Sequence, residues 1–371
     1  MKQVYVDYNA STPIAPEVRE AMVPFLESHF GNPSALHAEG ANAKKAVQHA
    51  RDQVASLLNC TDHEIIFTSG GSESNNHVLK GVFESYSHRG NHIITTKIEH
   101  PAVMNPCKYL EWHGARITYV GVDQHGRVDL NEIKAAITED TILISVMHAN
   151  NEVGTIQPIA EIGKLAKEHN IFFHTDASQS VGKVPIDVNE LQIDFLTIAG
   201  HKLYAPKGVG ALFIRDGLEI EPLVHGADHE NGRRAGTENV IFAVGLGKAC
   251  ELAGATMGEN EQIQALRDFF WEQLQAQFNE RISLNGHLDE RLPNTLNVNF
   301  IGQVGQDVLA KLPQVAASTG SACHAGEVTL SPVLAAMGVD PEVGKGAIRF
   351  SLGKYTTKEE IDTVLSLLRD M

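Results

Sequence analysis

The sequence predicts an α/β fold, with a large domain built on a mostly parallel sheet and a smaller α+β domain. From residue 64 to residue 216, short apolar or β-branched segments alternate with segments that have apolar residues at helical spacing. This alternation is typical of parallel strands joined by right-handed helical crossovers. A chain of 371 residues is also too long for one small core. We therefore expect a large domain over 15–255 and a small domain formed by 1–14 and 256–371.

The predicted elements follow from periodicity, from glycine and proline breaks, and from proline in the first turn of helices. Strands are expected over 4–7, 64–68, 92–96, 116–120, 141–147, 171–174, 194–198, 210–214 and 295–300. Helices are expected over 16–28, 39–58, 101–113, 130–137, 159–168, 240–255, 259–277, 306–312, 331–337 and 358–368, together with one that begins after Gly71.

Charge and composition exclude several classes of protein. The formal net charge of −16 argues against a broad nucleic-acid surface, which needs clustered lysine and arginine. No segment approaches the roughly 18 to 20 apolar residues of a membrane helix. The first residues lack the basic and then apolar pattern of a signal peptide. We expect a cytoplasmic protein that contacts neither membrane nor nucleic acid.

The four cysteines are far apart and form no CxxC pair, so neither a disulfide framework nor a zinc site is expected. Cys60, Cys107 and Cys250 lie beside or within apolar helical patterns, which predicts small core residues. His225 and His229 are four residues apart, but glycine and turn residues around them argue against a helix that would present both on one face. We therefore expect no bound metal.

Polar residues crowd the carboxyl ends of the strands in the run from residue 170 to 216. They are Asp176, Gln179, His201 and Lys202. Open α/β sheets bind ligands at this edge. A carboxylate after one strand and a lysine after the next suit pyridoxal phosphate (PLP), whose ring nitrogen needs a partner and whose aldehyde needs an amine. An isolated lysine would as readily be a solvated surface residue, so this pattern alone leaves both interpretations open.

Two further segments have the composition of functional loops. Gly70, Gly71 and Ser72 follow a predicted strand and open a helix, the arrangement of an anion site at a helix N-terminus, although many such turns bind nothing. Cys323 is surrounded by small residues over 317–326, and a core cysteine would have bulky neighbours. This composition predicts a mobile, accessible loop, with an incidental cysteine as the alternative.

The sequence resembles the cysteine desulfurases and selenocysteine lyases of the class V aminotransferase superfamily. The resemblance begins at Tyr8-Asn9-Ala10 and includes the Asn-Asn-Glu-x-Gly run at 150–154, the segment His201 to Gly210, and the Ser-x-Gly-Ser-Ala-Cys motif that ends at Cys323. That last motif is typical of the branch with a long catalytic loop. The resemblance ends near Arg349, so it covers nearly the whole chain and implies the type I, aspartate-aminotransferase-like PLP fold.

The resemblance implies a role for each matching residue. Lys202 would bind PLP as a Schiff base and then act on the Cα proton, Asp176 would hold the ring nitrogen, Gln179 would contact the ring hydroxyl, and His100 would stack on the ring. The cofactor site would also include Gly71, Ser72, Asn151, His201 and, from the partner subunit of a homodimer, Thr237. Asn151 and Arg349 would bind the substrate carboxylate, and Cys323 would take the sulfur of L-cysteine as a persulfide, release L-alanine and pass the sulfur to an acceptor protein.

Several alternatives stay open at this point. Ala199 stands where the iron–sulfur-supplying branch has a phosphate-binding serine, and the Ala-Cys-His sequence at 322–324 resembles selenocysteine lyases, so L-selenocysteine is the alternative substrate. A transaminase would leave Cys323 unexplained, and a non-enzymatic scaffold would leave the intact set of polar residues unexplained. The sulfur acceptor could serve iron–sulfur assembly, tRNA thiolation or DNA sulfur modification.

Overall fold

The computed structural model of the protein describes residues 3–319, 321–324 and 327–369. The strands are β1 (Val4–Tyr5), β2 (Ile65–Thr68), β3 (His92–Thr96), β4 (Arg116–Val120), β5 (Thr141–Ser145), β6 (Phe172–Asp176), β7 (Phe195–Ala199), β8 (Gly210–Ile214), β9 (Ile282–Asn285), β10 (Thr295–Phe300), β11 (Val315–Ala316), β12 (Ser318–Thr319), β13 (Ser321–His324), β14 (Glu327–Leu330) and β15 (Ala347–Ser351).

The α-helices are α1 (Pro16–Glu27), α2 (Ala38–Leu58), α3 (Gly71–Tyr86), α4 (Pro101–Glu111), α5 (Leu130–Ala136), α6 (Ile159–Glu168), α7 (Val240–Ala255), α8 (Asn260–Phe278), α9 (Gly305–Ala310), α10 (Pro332–Ala336), α11 (Pro341–Gly344) and α12 (Lys358–Arg369). Every element expected from the sequence is present, with ends shifted by one or two residues at most.

The central element is a seven-stranded sheet in the order β2-β8-β7-β6-β5-β3-β4. Strands β7, β6, β5, β3 and β4 are parallel, whereas β8 is antiparallel to both of its neighbours. The direction of β8 follows from its connection, because the few residues between Lys202 and Gly210 cannot form the helical crossover that a parallel neighbour requires. The mostly parallel sheet expected from the sequence is confirmed.

Helices cover both faces of this sheet. One core joins α1, α2 and α7 to the sheet through residues such as Val18, Val47 and Leu246. The second core joins α3 and α4 to the opposite face, with Val78 and Val103 buried. Burial on both faces explains why the central strands are continuous apolar segments and do not alternate with polar residues.

The C-terminal part forms a four-stranded antiparallel sheet in the order β12-β15-β10-β9. Helices α8 and α12 pack on it through residues such as Phe270 and Val364, which belong to a core of their own. Val4 and Val6 are buried in the same core, and β1 pairs with β11 in parallel. The N-terminal strand therefore packs with the C-terminal part, and the division at residues 15 and 256 stays a prediction.

Among the described residues, no single helix has both the length and the apolar composition of a membrane span. One bent pair, Val240–Ala255 with Met257–Arg281, meets that criterion only when both segments are taken together across a bend of 65°.

A buried ion pair fixes the segment that leads from β8 to α7 onto the large domain. Arg51 of α2 donates two hydrogen bonds to the Glu230 carboxylate, at 2.6 and 2.9 Å, and Glu230 also accepts from the backbone N–H of Phe67 at 3.0 Å. The side chains of Arg51 and Glu230 are 9% and 3% exposed, so the solvent cannot replace a lost partner.

We expect Glu230→Ala to reduce the free energy of unfolding by about 3–5 kcal/mol, because it leaves the Arg51 charge buried without its partner. Glu342→Ala, which removes the exposed ion pair with Lys345, is the matched control and should cost less than about 1 kcal/mol. Urea denaturation of both variants measures the difference. Equal losses in the two variants would contradict this account.

Candidate active site

A pocket lies at the carboxyl ends of β6 and β7, between the starts of α3 and α4. Its volume is about 760 Å³, counting the part open to solvent. Its lining includes the predicted residues Gly71, Ser72, His100, Asn151, Asp176, Gln179, His201, Lys202 and Arg349. The structure therefore brings together residues that lie as far apart as 71 and 349 in the chain.

Asp176, the last residue of β6, presents a carboxylate that is held in place on two sides. It is 7% exposed, and it accepts hydrogen bonds from Asn75 Nδ2 at 2.7 Å and from the backbone N–H of Ser178 at 2.9 Å. Asn75 was not among the residues predicted from the sequence. It lies one helical turn after Gly71 on α3, and that i, i+4 spacing is the signal that could have placed it on the same face.

Lys202 ends the short 3₁₀ turn Gly200–Lys202 that follows β7. Its Nζ donates to the carbonyl oxygens of Asn9 at 2.5 Å and Ala10 at 2.9 Å. Neutral carbonyls accept hydrogen bonds from a lysine without compensating its charge as a carboxylate would. The amine is therefore held at the pocket without a direct ion pair among the described residues.

The burial of Lys202 favours the neutral amine. Burial, and after it the nearby Arg349 guanidinium, lower the pKa of Lys202 to about 8, while the carboxylates of Asp7 and Asp176 act in the opposite direction. A lysine with a pKa near neutrality has a useful fraction of nucleophilic or basic amine at pH 7, which an ordinary lysine lacks.

Gln179 is buried on the wall of the pocket and bonded at both ends of its amide. Its Nε2 donates to the carbonyl oxygen of Asn9 at 3.0 Å, the oxygen that also accepts from Lys202. Its Oε1 accepts from Lys183 Nζ at 3.1 Å. Neither Asn9 nor Lys183 was assigned a role from the sequence. Asn9 stands inside a recognised motif, and Lys183 had no signal beyond its position four residues after Gln179.

Two histidines border the pocket, and both favour the neutral imidazole. His100 caps α4, accepting from the backbone N–H of Ala102 at Nδ1, 3.1 Å away. The residue is exposed toward the pocket, yet desolvation still lowers the pKa of its ring, with Lys202 adding to the effect and Asp176 opposing it. Burial, and then Lys202, lower the pKa of His201 to about 4.

The N-terminus of α3 opens onto the pocket without side chains in the way. Gly70 has φ +144°, a conformation that suits glycine, and a Cβ on Gly71 would lie 3.0 Å from Ser178 Oγ. Ser72 is exposed at the first turn, and Ala199 also lines the pocket. Backbone N–H groups at such a helix start attract an anion.

Arg349, in the middle of β15, reaches the pocket from the small domain. One terminal nitrogen donates to the carbonyl oxygen of Asn151 at 2.9 Å, and the other donates to Asp7 Oδ1 at 2.7 Å. Its Nε is buried and has no hydrogen-bond partner among the described residues. The guanidinium is thus oriented by two contacts and keeps donor capacity for a further anion.

The backbone of Cys323 lies in a short hairpin, β13 paired with β14, where the sequence predicted an irregular loop. Its side chain lies outside what the structure describes. Strand β12, which precedes the hairpin, pairs Ser318 with Arg349 of β15. Cys323 follows Ser318 by five residues, and five residues span at most about 18 Å. After the hairpin, Ser331 Oγ donates to Glu152 Oε2 at 2.5 Å. Both ends of the Cys323 segment are therefore fixed beside the pocket.

The other three cysteines are poor nucleophiles. Cys107 and Cys250 are buried in the two cores, and Cys60 is half-buried against the first of them, which confirms their prediction as packing residues. Burial raises the pKa of each thiol to about 12, so the thiolate is absent at neutral pH. Reactive sulfur chemistry therefore falls to Cys323.

Thr237 is exposed and does not line the pocket of its own chain. A role in the site of a second subunit would require this placement, and that role stays a prediction. In the same segment His225 lies 3.8 Å from Glu221, and among the described residues no group of three or more histidine, cysteine or acidic side chains could hold a metal ion.

The donor set of the pocket fits PLP. The Asp176 carboxylate, held by Asn75 and Ser178, is a partner for the ring nitrogen, and the Lys202 amine is a partner for the aldehyde. The start of α3 suits a phosphate, since its backbone N–H groups attract an anion. Gly71 has no side chain there, and a Cβ at this position would occupy the space beside Ser178 Oγ. Each of the three polar groups of the cofactor therefore has a partner of the right chemistry in one pocket.

Comparison with known proteins agrees with this assignment. The family described as aminotransferase class-V matches residues 4–364. A cysteine desulfurase IscS of Dictyoglomus turgidum is 50% identical over 370 residues, covering 99% of this chain and 94% of the relative. A solved NifS-like protein has a TM-score of 0.93 at 39% identity, covering 99% and 98% of the two chains. The structure of SspA in complex with cysteine has a TM-score of 0.83, also at 39% identity, covering 95% and 99%.

The match extends over both sheets and over the residues that form the pocket, and its fold is that of the type I PLP enzymes. This chain belongs to the class-V aminotransferase family of PLP-dependent enzymes, among relatives that are cysteine desulfurases.

Proposed function

We propose that this protein is a cysteine desulfurase that converts L-cysteine to L-alanine and keeps the sulfur as a persulfide on Cys323. The observation that carries the proposal is that the Lys202 amine, the Asp176 carboxylate and the Arg349 guanidinium line one pocket. The Cys323 hairpin is fixed beside it at both ends. Relatives of nearly the same length carry this activity in their names.

Arg349 orients the substrate. Its guanidinium fork can donate two hydrogen bonds to a carboxylate, and its contacts with Asp7 and Asn151 hold the fork before the substrate arrives. The substrate carboxylate also compensates a cation that lies in a partly buried site. Binding is therefore favoured for an α-amino acid whose carboxylate faces the small domain.

Proton transfer falls to Lys202 and His100. PLP, when bound, supplies an electron sink for the negative charge that develops at the substrate Cα. Asp176 stabilises a protonated ring nitrogen, because its carboxylate is fixed by Asn75 and cannot turn away. Lys202 has the lowered pKa that a base at Cα requires, and the largely neutral His100 lies on the same pocket wall.

Sulfur transfer falls to Cys323. Its thiolate attacks the substrate sulfur, an S–S bond forms, and the substrate C–S bond breaks with its electron pair going to Cβ. Cβ takes a proton, so one cysteine and one enzyme thiol give alanine and one persulfide without an external oxidant. The fixed ends of the hairpin limit how far the thiol can travel from the pocket.

The test is a product assay on the purified protein with PLP and L-cysteine. Cys323→Ser should keep the visible band of bound cofactor and lose persulfide and sulfide, whereas Lys202→Ala should lose the band and the alanine. Cys60→Ala, which removes a thiol that is not nucleophilic, is the matched control and should keep both products. A keto acid as product in Cys323→Ser would indicate a transaminase, and turnover of L-selenocysteine alone would indicate a selenocysteine lyase.

The pKa of Lys202 predicts how cofactor binding to the apoprotein depends on pH. Bonding to the aldehyde requires the neutral amine, so the association rate should rise about tenfold per pH unit and level off near pH 8. Stopped-flow absorbance of PLP addition measures it. Asp7→Asn removes an anion that raises the Lys202 pKa, so its midpoint should be lower than that of the natural protein. A rate that is flat from pH 6 to 9 would contradict this account.

We also propose that the protein works as a homodimer in which Thr237 completes the phosphate site of the partner subunit. The exposure of Thr237 supports this, as do the exposed apolar side chains of Phe30 and Leu36. Arg234 Nε donates to Glu73 Oε1 of α3 at 2.8 Å, so the segment before Thr237 lies beside the start of α3, and an interface at that edge would bring the Thr237 residues of two subunits near each other's pockets.

Subunit mixing tests the dimer. Lys202→Ala has no cofactor lysine, and Thr237→Val should bind PLP weakly, but a mixed dimer would contain one intact site made from both chains. Refolding the two variants together should give more activity than the sum of the two alone. Activity equal to that sum would show that Thr237 acts within its own chain or not at all.

The persulfide is expected to pass to an acceptor protein in the cytoplasm, for instance an iron–sulfur scaffold. The free thiols of Cys60, Cys107 and Cys250 support a reducing compartment. Capture of the partner with the Cys323 persulfide trapped would identify the acceptor, and an acceptor confined to an oxidising compartment would overturn the assignment.

A further inference from the structure

Lys183 is a cation that the proposed mechanism does not use. It lies in the turns that follow β6 and Asp176, and it is half-buried in a crevice that it shares with Lys202, Tyr204 and Lys354. Its Nζ donates to Gln179 Oε1 at 3.1 Å. No carboxylate of the described residues forms an ion pair with it. Lysines in such positions are usually paired, so the lone contact with an amide requires an explanation.

The contact decides which way round the Gln179 amide lies. A lysine ammonium has three donors and no acceptor, so the amide oxygen faces it and the NH₂ group faces the opposite side. On that side lies the carbonyl oxygen of Asn9, which accepts from Gln179 Nε2 at 3.0 Å and from Lys202 Nζ at 2.5 Å. Gln179 also lines the pocket, whereas Lys183 does not. The lysine therefore acts on the pocket through Gln179.

We propose that Lys183 is a positioning residue that holds the NH₂ group of Gln179 toward the cofactor pocket and adds a positive charge behind it. Without this partner, only the hydrogen bond from Nε2 to the carbonyl oxygen of Asn9, which also accepts from Lys202, would hold the amide this way round. A turned amide would present its oxygen to the pocket, where it would repel an anionic ring oxygen. The inference rests on the proposed function only through the bound PLP, and it adds a residue that does not itself touch cofactor or substrate.

The charge state of Lys183 agrees with this role once the site is loaded. Burial, and then the charges of Lys202 and Arg349, lower the pKa of Lys183 to about 7 in the free pocket. A bound PLP would bring the negative charges of its phosphate and ring oxygen into the pocket. When substrate is bound, its carboxylate compensates Arg349. Both changes favour the ammonium form of Lys183, which is the form that admits only the amide oxygen.

The test is a pH titration of the visible band of the holoenzyme, which reports the basicity of the nitrogen and ring oxygen at the Lys202 end of the cofactor. An NH₂ donor on the ring oxygen and a cation nearby both lower that basicity. We expect Lys183→Met to raise the titration midpoint by roughly one pH unit, the order expected for loss of a hydrogen bond beside a charge. It should also weaken PLP binding severalfold.

Two further variants separate positioning from other effects. Lys183→Arg keeps only donors and should restore the midpoint. Lys207→Met removes an exposed lysine of the segment between β7 and β8, which forms no hydrogen bond with Gln179 among the described residues, and should leave the midpoint unchanged. If Lys183→Met does not fold, Lys183→Gln replaces it, and the same upward shift is expected because a glutamine offers both donor and acceptor and enforces neither orientation.

The outcomes are distinct from those that test the function. A natural protein that forms no visible band with PLP would overturn the proposed function itself. The natural protein could form the band and yet have the same titration midpoint as Lys183→Met, or Lys207→Met could shift the midpoint as much as Lys183→Met does. Either result would overturn the role of Lys183 alone. Loss of thermal stability in Lys183→Met without a shifted midpoint would show that the lysine is only structural.

Discussion

The pocket depends on the crowding of cations in a partly desolvated site. Burial and then the charge of Arg349 lower the pKa of Lys202, and burial and then the charges of Lys202 and Arg349 lower the pKa of Lys183. Among these three cations and within the described residues, Arg349 alone has a carboxylate, that of Asp7, as hydrogen-bond partner. Such an arrangement is unfavourable in the free protein, because each buried ammonium loses hydration. It becomes favourable when an anionic cofactor and the carboxylate of an amino acid enter. The same crowding produces a reactive amine and an affinity for anions.

The N-terminal segment joins the two halves of this site. Asp7 holds Arg349, the carbonyl oxygen of Asn9 meets both Lys202 and Gln179, and Thr12 donates to the carbonyl oxygen of His201. Val4 and Val6 lie in the core of the small domain, and Asn9 and Ala10 line the pocket. A movement of the small domain would therefore carry the substrate clamp and the carbonyl oxygens around Lys202 together. The conformation of one short segment sets the geometry of amine and guanidinium alike.

Much of the fold was predictable because the large sheet is buried on both faces, so its strands appear as unbroken apolar segments. The pocket residues at strand ends, Asp176 and Lys202, were predictable for the same reason, since parallel strands place their carboxyl ends at one edge. Three residues that act from a helix, a turn or the backbone were missed. Asn75 and Lys183 carry only a spacing relative to Gly71 and Gln179, and Asn9 meets Lys202 and Gln179 through its carbonyl oxygen, which any residue would possess.

By itself, the sequence determined the alternation of strands and helices, the reactive residue types and their order, because these depend on periodicity and on chemistry that each side chain carries alone. Only the tertiary structure decided that a helix of the large domain supports Asp176, that β8 runs against its neighbours and that Arg349 is held by Asp7 from the other end of the chain. The physical reason is distance: charges and hydrogen bonds act over a few ångströms in space, and the partners here are separated by up to 342 positions in sequence.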